Sequence, residues 1–397
     1  MKKKVLVLAS TFPRWKNDST PPFVYELEKR LADDFDIHVL APHFTGAKKY
    51  EKISGLKIHR FRYFWPAKLQ KLCYEGGILP NLKKNKLLYF QAACLIFFEL
   101  LNAARIVKKE KIDLIHAHWI IPQGIVALII NKLFGIPYIV TSHGGDIYGL
   151  SGKSFTWFKK IVIKKTKTIT VVSTAIKKEI ENKLIKNTPI EVIPMGVDSK
   201  SFNPNKRDEN IKKKYNITGP FLLFVGRLAE VKGVENLIYA MIDVVKEHPK
   251  AKLLIIGKGP LETKLINLMK KNKLDSNVKF LGAITYKNMP MYYATADIYI
   301  SPSLNYKNHQ EGFGLTLVEA GMSGCNLIAV NSGGIKDIIK NNKTGLLLNS
   351  SNPKLISKAI IKLIECPSLF NKKKIIKEFI RRFDFLYIYK NYKKIIY

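Results

Sequence analysis

Two α/β domains, each a doubly wound parallel sheet, are expected from this chain of 397 residues. Short apolar runs, many ending in Gly, Ser, Pro or His, alternate with longer amphipathic stretches along the whole length, which is the pattern of parallel strands joined by helical crossovers. At ~100–200 residues per domain the length holds two cores. A polar stretch at 198–219, with Asn203, Pro204 and a run of charges but little apolar periodicity, separates two series of such runs and reads as the interdomain linker.

The first series places strands at 5–9, 37–41, 58–61, 114–117, 138–142, 169–173 and 190–194. The second places them at 221–225, 252–256, 278–281, 298–301, 327–330 and 346–348. The expected domains are therefore 1–200 and 215–379. A helical pattern closes the chain, and its last stretch, 380–397, either packs back onto the first domain or completes the second. The apolar run at 5–9 is shorter than the ~7–15 residues of a signal-peptide core and reads as a buried strand. The runs at 92–98 and 125–130 fall short of the ~18–20 residues a membrane span needs, so no span is expected.

Composition narrows the function. With 47% hydrophobic residues, 21 Phe and 18 Tyr, the chain carries enough apolar surface to exclude disorder as its dominant state. Four cysteines, Cys73, Cys94, Cys325 and Cys366, show no CxxC pair or metal spacing, which fits a reducing, cytoplasmic setting. The net charge is +36, yet only nine of the 67 basic residues are Arg. No Arg-rich stripe or reading module for nucleic acid accompanies them, so nucleic acid is not an expected partner. The excess is either Lys on solvated faces or an attraction to anionic lipid or phosphorylated substrates, and both readings stay open.

Ligands of doubly wound sheets bind beyond the carboxyl ends of strands, so the residues that follow each apolar run are the informative ones. Gly226-Arg227-Leu228 with Lys232-Gly233 puts a guanidinium fork and a mobile ammonium at the opening of a helix, a pattern suited to a diphosphate. Glu311 and Glu319 bracket Gly312-Phe313-Gly314-Leu315-Thr316, where glycines admit close backbone approach and carboxylates suit sugar or ribose hydroxyls. Glu319 lies among apolar neighbours, where a lone carboxylate is costly. His143 follows a strand and precedes Gly144-Gly145-Asp146, as a proton-handling or hydrogen-bonding residue or as a satisfied structural one. His116 and His118 alternate on a strand end but show no third ligand, and Asp34-Phe35-Asp36 has the form of a metal-binding DxD at a polar turn. No metal site is expected.

At these positions the sequence resembles the retaining GT-B glycosyltransferases of family 4, group 1. The resemblance rests on Gly226-Arg227-Leu228 with Lys232-Gly233, on the Glu311 and Glu319 pair, on Met195-Gly196-Val197-Asp198 with Phe202, and on Ser332-Gly333-Gly334 followed by Thr344-Gly345-Leu346. Thr11-Phe12-Pro13 and Ser142-His143-Gly144-Gly145-Asp146 match less specifically. It implies two Rossmann-like domains facing across a cleft, the first shaping the acceptor site and the second holding a UDP- or GDP-sugar. It further implies that Arg227 and Lys232 hold the diphosphate, Glu319 the ribose and Glu311 the transferred sugar. The backbone at Phe313, Gly314, Leu315 and Thr316 would meet phosphates and sugar, Gly282 would lie near the base, and His143 near the reacting carbon. No cofactor or metal is implied.

One departure concerns the loop after the first strand. Where relatives carry paired glycines, this chain has Ser19-Thr20-Pro21-Pro22-Phe23, leaving Ser19 and Thr20, with Asp146, as candidate acceptor or loop contacts. The acceptor itself is a saccharide or a lipid-linked one. The stretch from Arg60 through Trp65 and on through Lys-rich apolar sequence to Phe98 either lies on an anionic bilayer, giving peripheral contact at the inner membrane face, or packs internally as a helical insertion. A sugar-nucleotide epimerase or phosphorylase of the same architecture, and a non-catalytic basic membrane-associated binding protein, are the competing readings.

Overall fold

The computed structural model describes residues 2–15, 18, 22–74, 76–186, 188–305 and 310–397. It divides into two compact units, one of Met1–Pro194 with Ile388–Tyr397 and one of Met195–Tyr387.

In the first unit the strands are β1 (Lys4–Leu8), β2 (Asp36–Pro42), β3 (Tyr50–Ile53), β4 (Leu56–Phe61), β5 (Leu114–His118), β6 (Tyr138–Ser142), β7 (Thr168–Val171) and β8 (Ile190–Val192). They form one sheet in the order β3-β4-β2-β1-β5-β6-β7-β8. All neighbours run parallel except β3 against β4. Helices cover both faces, so Val5, Leu6, Val7 and Leu8 are all fully buried, as their unbroken apolar run requires. The order reverses between β1 and β5, where the loops after the two strands diverge and leave room at their carboxyl ends.

β3 is a strand that the sequence did not show. Its residues Tyr50-Glu51-Lys52-Ile53 are all at least partly exposed and two of them are charged, so they carry no apolar run. The pairing Ile53↔Leu56 leaves Ser54 and Gly55 as a two-residue turn with φ of 50° and 80°, the left-handed pair that closes a tight hairpin.

The helix Leu88–Glu110 also exceeds expectation: by length and composition alone it is long and apolar enough to cross a membrane. Its buried residues Leu88, Gln91, Leu95, Glu99, Ala103, Ile106 and Val107 recur every three or four positions and pack the helix on β1, β2 and β4. Gln91 and Glu99 broke the apolar run in the sequence, yet both lie on the buried stripe.

The second unit holds β9 (Phe221–Val225), β10 (Lys252–Ile256), β11 (Val278–Gly282), β12 (Ile298–Ser301), β13 (Asn326–Val330) and β14 (Leu346–Leu348). They form a wholly parallel sheet in the order β11-β10-β9-β12-β13-β14. The stretch 198–219 is not a free linker. Phe202 packs on Tyr286 and Tyr293 at ring distances of 5.4 and 5.9 Å. The Asp208 side chain caps the helix Glu209–Lys214, and its amide donates to Thr295 Oγ1 at 2.9 Å. The helix Lys372–Phe383 buries Ile375, Phe379 and Phe383 in this unit, and the next, Phe385–Ile396, places Tyr392 in the first unit with its hydroxyl 3.3 Å from Thr141 Oγ1.

Candidate active site

In the second unit the candidate groups collect at the carboxyl edge of the sheet. Arg227 follows β9 and is half-buried, and among the described residues its guanidinium has no hydrogen-bond or ion-pair partner. Burial holds it below its usual pKa, so the site favours an anion beside it. Lys232 ends a short 3-10 turn (Glu230–Lys232), and Gly233 follows with φ of 65°. A Cβ at Gly233 would stand 2.0 Å from the Pro302 carbonyl oxygen, so only glycine lets the start of the helix Val234–Glu247 lie this close to the end of β12.

Lys232 and Glu311, assigned separate tasks by the sequence, are paired: Nζ donates to Oε2 at 2.5 Å. Ser303 Oγ donates to the same oxygen at 3.2 Å. Burial pushes the Glu311 carboxyl upward, but the Lys232 charge and these two hydrogen bonds outweigh it and hold the group below its ordinary value. The Ser332-Gly333-Gly334 turn braces the backbone behind it. Ser332 Oγ accepts from the Glu311 amide at 3.3 Å, and the Gly334 amide donates to the Glu311 carbonyl at 2.9 Å.

Phe313 is buried against Phe383, with ring centroids 5.9 Å apart, which leaves only its backbone for a ligand. Gly314, at φ of 105°, opens the helix Leu315–Met322, whose first amides at Leu315 and Thr316 have no partner within the helix. Thr316 Oγ1 accepts from Tyr299 at 2.7 Å. Glu319 is 4% exposed and already has protein partners, with Tyr293 donating to Oε2 at 2.8 Å and Tyr286 bonding it as well. Those bonds supply what the sequence expected of a ligand, although burial still raises the carboxyl to about 7. Gly282 ends β11 with φ of 67°.

In the first unit His143 follows β6 and is partly buried, its ring packed on Phe23 and Trp119 at 4.9 and 5.1 Å. Its Nε2 lies 3.0 Å from His118 Nδ1. His118 Nε2 and His116 Nδ1 lie 3.0 and 2.9 Å from Glu28 Oε1. His116 Nε2 continues the chain to Thr141 Oγ1 at 2.8 Å. Glu28, His116 and His118 are inaccessible to solvent. Burial alone would raise Glu28, yet the two imidazoles outweigh it and keep the carboxyl at about 2. Burial pulls His118 to about 4 and His143 well below its ordinary value.

Asp146 is fully engaged, with Oδ1 accepting from Ser142 Oγ and Oδ2 from the Ile120 amide, both at 2.7 Å. It ties the loop after β6 to the loop after β5. Ser19 and Thr20 lie outside the described residues.

Two family models match in tandem: Glycosyltransferase Family 4 over residues 22–201 and Glycosyl transferases group 1 over residues 206–383. A protein of Methanocaldococcus jannaschii, named only as an uncharacterized glycosyltransferase, is 31% identical over 291 residues, covering 72% of this chain and 74% of its own. The chain belongs to the family 4, group 1 glycosyltransferases. This glycosyltransferase is also 28% identical over 271 residues to a Corynebacterium glutamicum enzyme named GDP-mannose-dependent monoacylated alpha-(1-6)-phosphatidylinositol monomannoside mannosyltransferase, covering 66% of this chain and 70% of that one. Sucrose-phosphate synthase from Thermosynechococcus elongatus shares the fold, with a TM-score of 0.82 at 18% identity over 100% of this chain and 98% of that one. The fold is GT-B.

Within this glycosyltransferase, the residue that sequence reasoning missed is Glu28, the third group beside His116 and His118. A signal was present: Glu28 occupies the apolar stripe of its own helix with Val24, Leu27 and Leu31, a spacing that forces a carboxylate inward. Ligand atoms of Glu28, His116 and His118 lie within 4.8 Å of one another, so a third potential ligand exists where none was expected. Here the three hold one another by hydrogen bonds. Tyr286, Tyr293 and Ser303 were missed because an isolated Tyr or Ser has no pattern to betray it.

Proposed function

We propose that this glycosyltransferase moves a sugar from a nucleoside diphosphate to a saccharide or lipid-linked acceptor, with retention of the anomeric configuration and without a metal ion. The observation that carries the reading is Arg227: a half-buried guanidinium without a partner among the described residues, at the same carboxyl edge of the sheet that carries the Lys232–Glu311 pair and the free amides of a helix start. A buried cation without a counterion is unfavourable unless a ligand supplies one. The diphosphate would supply it. As the bond from the anomeric carbon to the phosphate oxygen breaks, the electron pair leaves with the diphosphate, and positioned cations and amides stabilise that charge. The acceptor hydroxyl forms the new bond on the same face, and its proton passes to the departing diphosphate oxygen.

The relative from Corynebacterium glutamicum is named for GDP-mannose and a phosphatidylinositol mannoside, which supports a nucleotide sugar as donor here and a lipid-bearing sugar among the acceptors. The direct experiment is a thermal-shift panel of UDP-, GDP- and ADP-sugars, with and without EDTA, because a ligand that binds only the folded state raises its melting temperature. A shift from one nucleotide that survives EDTA supports the reading; no shift from any nucleotide overturns it. Product analysis separates the competing chemistry, since an epimerase converts the sugar nucleotide with no acceptor present and a phosphorylase requires orthophosphate.

A further inference from the structure

The first unit contains a cavity of about 800 Å³, at the upper end of the ~300–1,000 Å³ range of ligand pockets. One side is the carboxyl edge of the sheet, with Ser10 and Thr11 after β1, Trp119 and Ile121 after β5, and Asp146 after β6. The other is formed by Leu79 and Leu82 of the helix Ile78–Lys84 and by Ala93 and Ile96 of the helix Leu88–Glu110. Phe23 and Trp119 both line the cavity and pack on His143, so its polar side adjoins the histidine chain.

The lining decides what fits. Hydroxyls of a soluble saccharide would face Leu79, Leu82, Ala93 and Ile96 unpaired, at the cost of burying polar groups. The charged groups at the polar side are already engaged: Asp146 by Ser142 and the Ile120 amide, Arg14 by Asp18 at 2.6 and 2.9 Å. An apolar chain with a polar head meets both sides. Around the cavity the helix Leu88–Glu110 and the turn before it expose large apolar side chains, with Leu87 at 81%, Phe90 at 67% and Phe97 at 56%. Residues 62–98 carry six basic side chains and one acidic, Glu75, a charge that complements anionic lipid.

We propose that this cavity takes the hydrocarbon chain of a membrane lipid that bears the sugar acceptor, with the exposed face of Leu87, Phe90 and Phe97 resting on an anionic lipid surface. Only the lipid's role as acceptor rests on the transferase reading; the chain-binding site stands on the cavity itself.

The test is a titration of the whole protein with farnesyl phosphate, isopentenyl phosphate and inorganic phosphate, followed by tryptophan fluorescence, because Trp119 lines the cavity. Farnesyl phosphate is expected to bind at least tenfold more tightly than the other two. Ala93→Trp, which fills the cavity from an exposed position, and Ile96→Lys should each reduce that affinity at least tenfold while stabilisation by the nucleotide is unchanged. Sedimentation with 7:3 phosphatidylcholine:phosphatidylglycerol vesicles, but not with phosphatidylcholine alone, should be lost in Phe90→Ser/Phe97→Ser, whose changes lie on the exposed face and leave the core intact. Equal affinity for the long and short phosphates, or farnesyl binding unchanged in both cavity variants, overturns the proposal. Farnesyl binding without any nucleotide response instead sinks the transferase reading and leaves the cavity assigned.

Discussion

His143 Nε2 lies 3.0 Å from His118 Nδ1, and this bond decides which nitrogen of His143 is left bare. The ionised Glu28 carboxylate can only accept, so His118 donates to it through Nε2. A neutral His118 must then accept at Nδ1, and His143 must donate through Nε2. His143 Nδ1 is left as an unprotonated acceptor, and among the described residues it has no hydrogen-bond partner.

The expected consequence is a histidine that does not titrate where histidines usually do. With burial holding His118 at about 4 and His143 well below its ordinary value, both stay neutral at pH values where an ordinary histidine is already protonated. Nitrogen NMR of labelled histidine should show His143 in the Nε2–H form throughout, and an imidazolium at His143 near pH 6.5 would refute the relay. Glu28→Leu removes the anchor, and kcat should fall by about tenfold or more with little change in nucleotide affinity. Stability carries the same sign. Glu28 and His118 both have depressed folded values, so their contribution is complete above their unfolded values near 4.5 and 6.5. It is lost as pH falls toward about 4 for His118 and about 2 for Glu28.

Lys232 faces Glu311 at 2.5 Å, and removing it strands a mostly buried carboxylate. Lys232→Met is expected to lower stability by about 1–3 kcal/mol at pH 7 and by less at pH 4, where protonation of Glu311 relieves the loss. Unfolding midpoints at the two pH values test this, and a loss equal at both would contradict it. For catalysis, Arg227→Ala and Lys232→Met should each cost on the order of 10²-fold in kcat/KM, since each removes charge that the departing diphosphate needs. Arg227→Ala leaves the Lys232–Glu311 pair intact, so its stability should change little.

The architecture was legible because parallel strands buried on both faces must be apolar runs, and each of the thirteen such runs overlaps a strand, with 169–173 and 190–194 running two residues past theirs. β3 escaped because an edge strand half-open to water has no such run, although the Ser54-Gly55 turn was there to be read. The 198–219 stretch misled for the opposite reason: its charges face outward while single residues, Phe202, Ile211 and Ile217, anchor it inside the second unit. Among the candidate groups, the sequence showed which residues follow strands but not whom they touch. Lys232 and Glu311 are 79 positions apart, Glu28 and His118 90, and neither distance leaves a mark on a single sequence.

Glu319 offers a pH test with two opposite signs. Burial raises its carboxyl to about 7 despite the tyrosine bonds, so the folded state holds the proton over a range where the unfolded chain has lost it. Its stabilising contribution is complete below the unfolded value near 4.5 and is lost as pH rises through about 7. A ribose diol, which donates, prefers the ionised form. Affinity for the cognate nucleoside diphosphate should therefore strengthen between pH 6 and 8, and Glu319→Gln should flatten that dependence while weakening binding at pH 8. Calorimetric titration at three pH values tests it; a wild-type affinity that is flat or falls with pH removes Glu319 from the ribose.

Glu99 gives the cleanest stability prediction, because it lies on the inward stripe of the helix Leu88–Glu110 with Gln123 as its hydrogen-bond partner among the described residues. Gln123 Nε2 stands 3.4 and 3.3 Å from its two oxygens, while Gln123 Oε1 has no partner among the described residues. Burial pushes the Glu99 carboxyl to about 8, so the folded protein resists an ionisation that the unfolded chain undergoes near 4.5. The sign follows directly: stability is complete below pH 4.5 and declines as pH rises to about 8. Glu99→Gln removes the titration and adds an amide that Gln123 Oε1 can accept from. The variant should match the wild type near pH 4.5 and exceed it at pH 8 by several degrees in melting temperature. A melting temperature at pH 8 no higher than that of the wild type would mean that Glu99 is ionised in the folded state and has a counter-charge beyond Gln123.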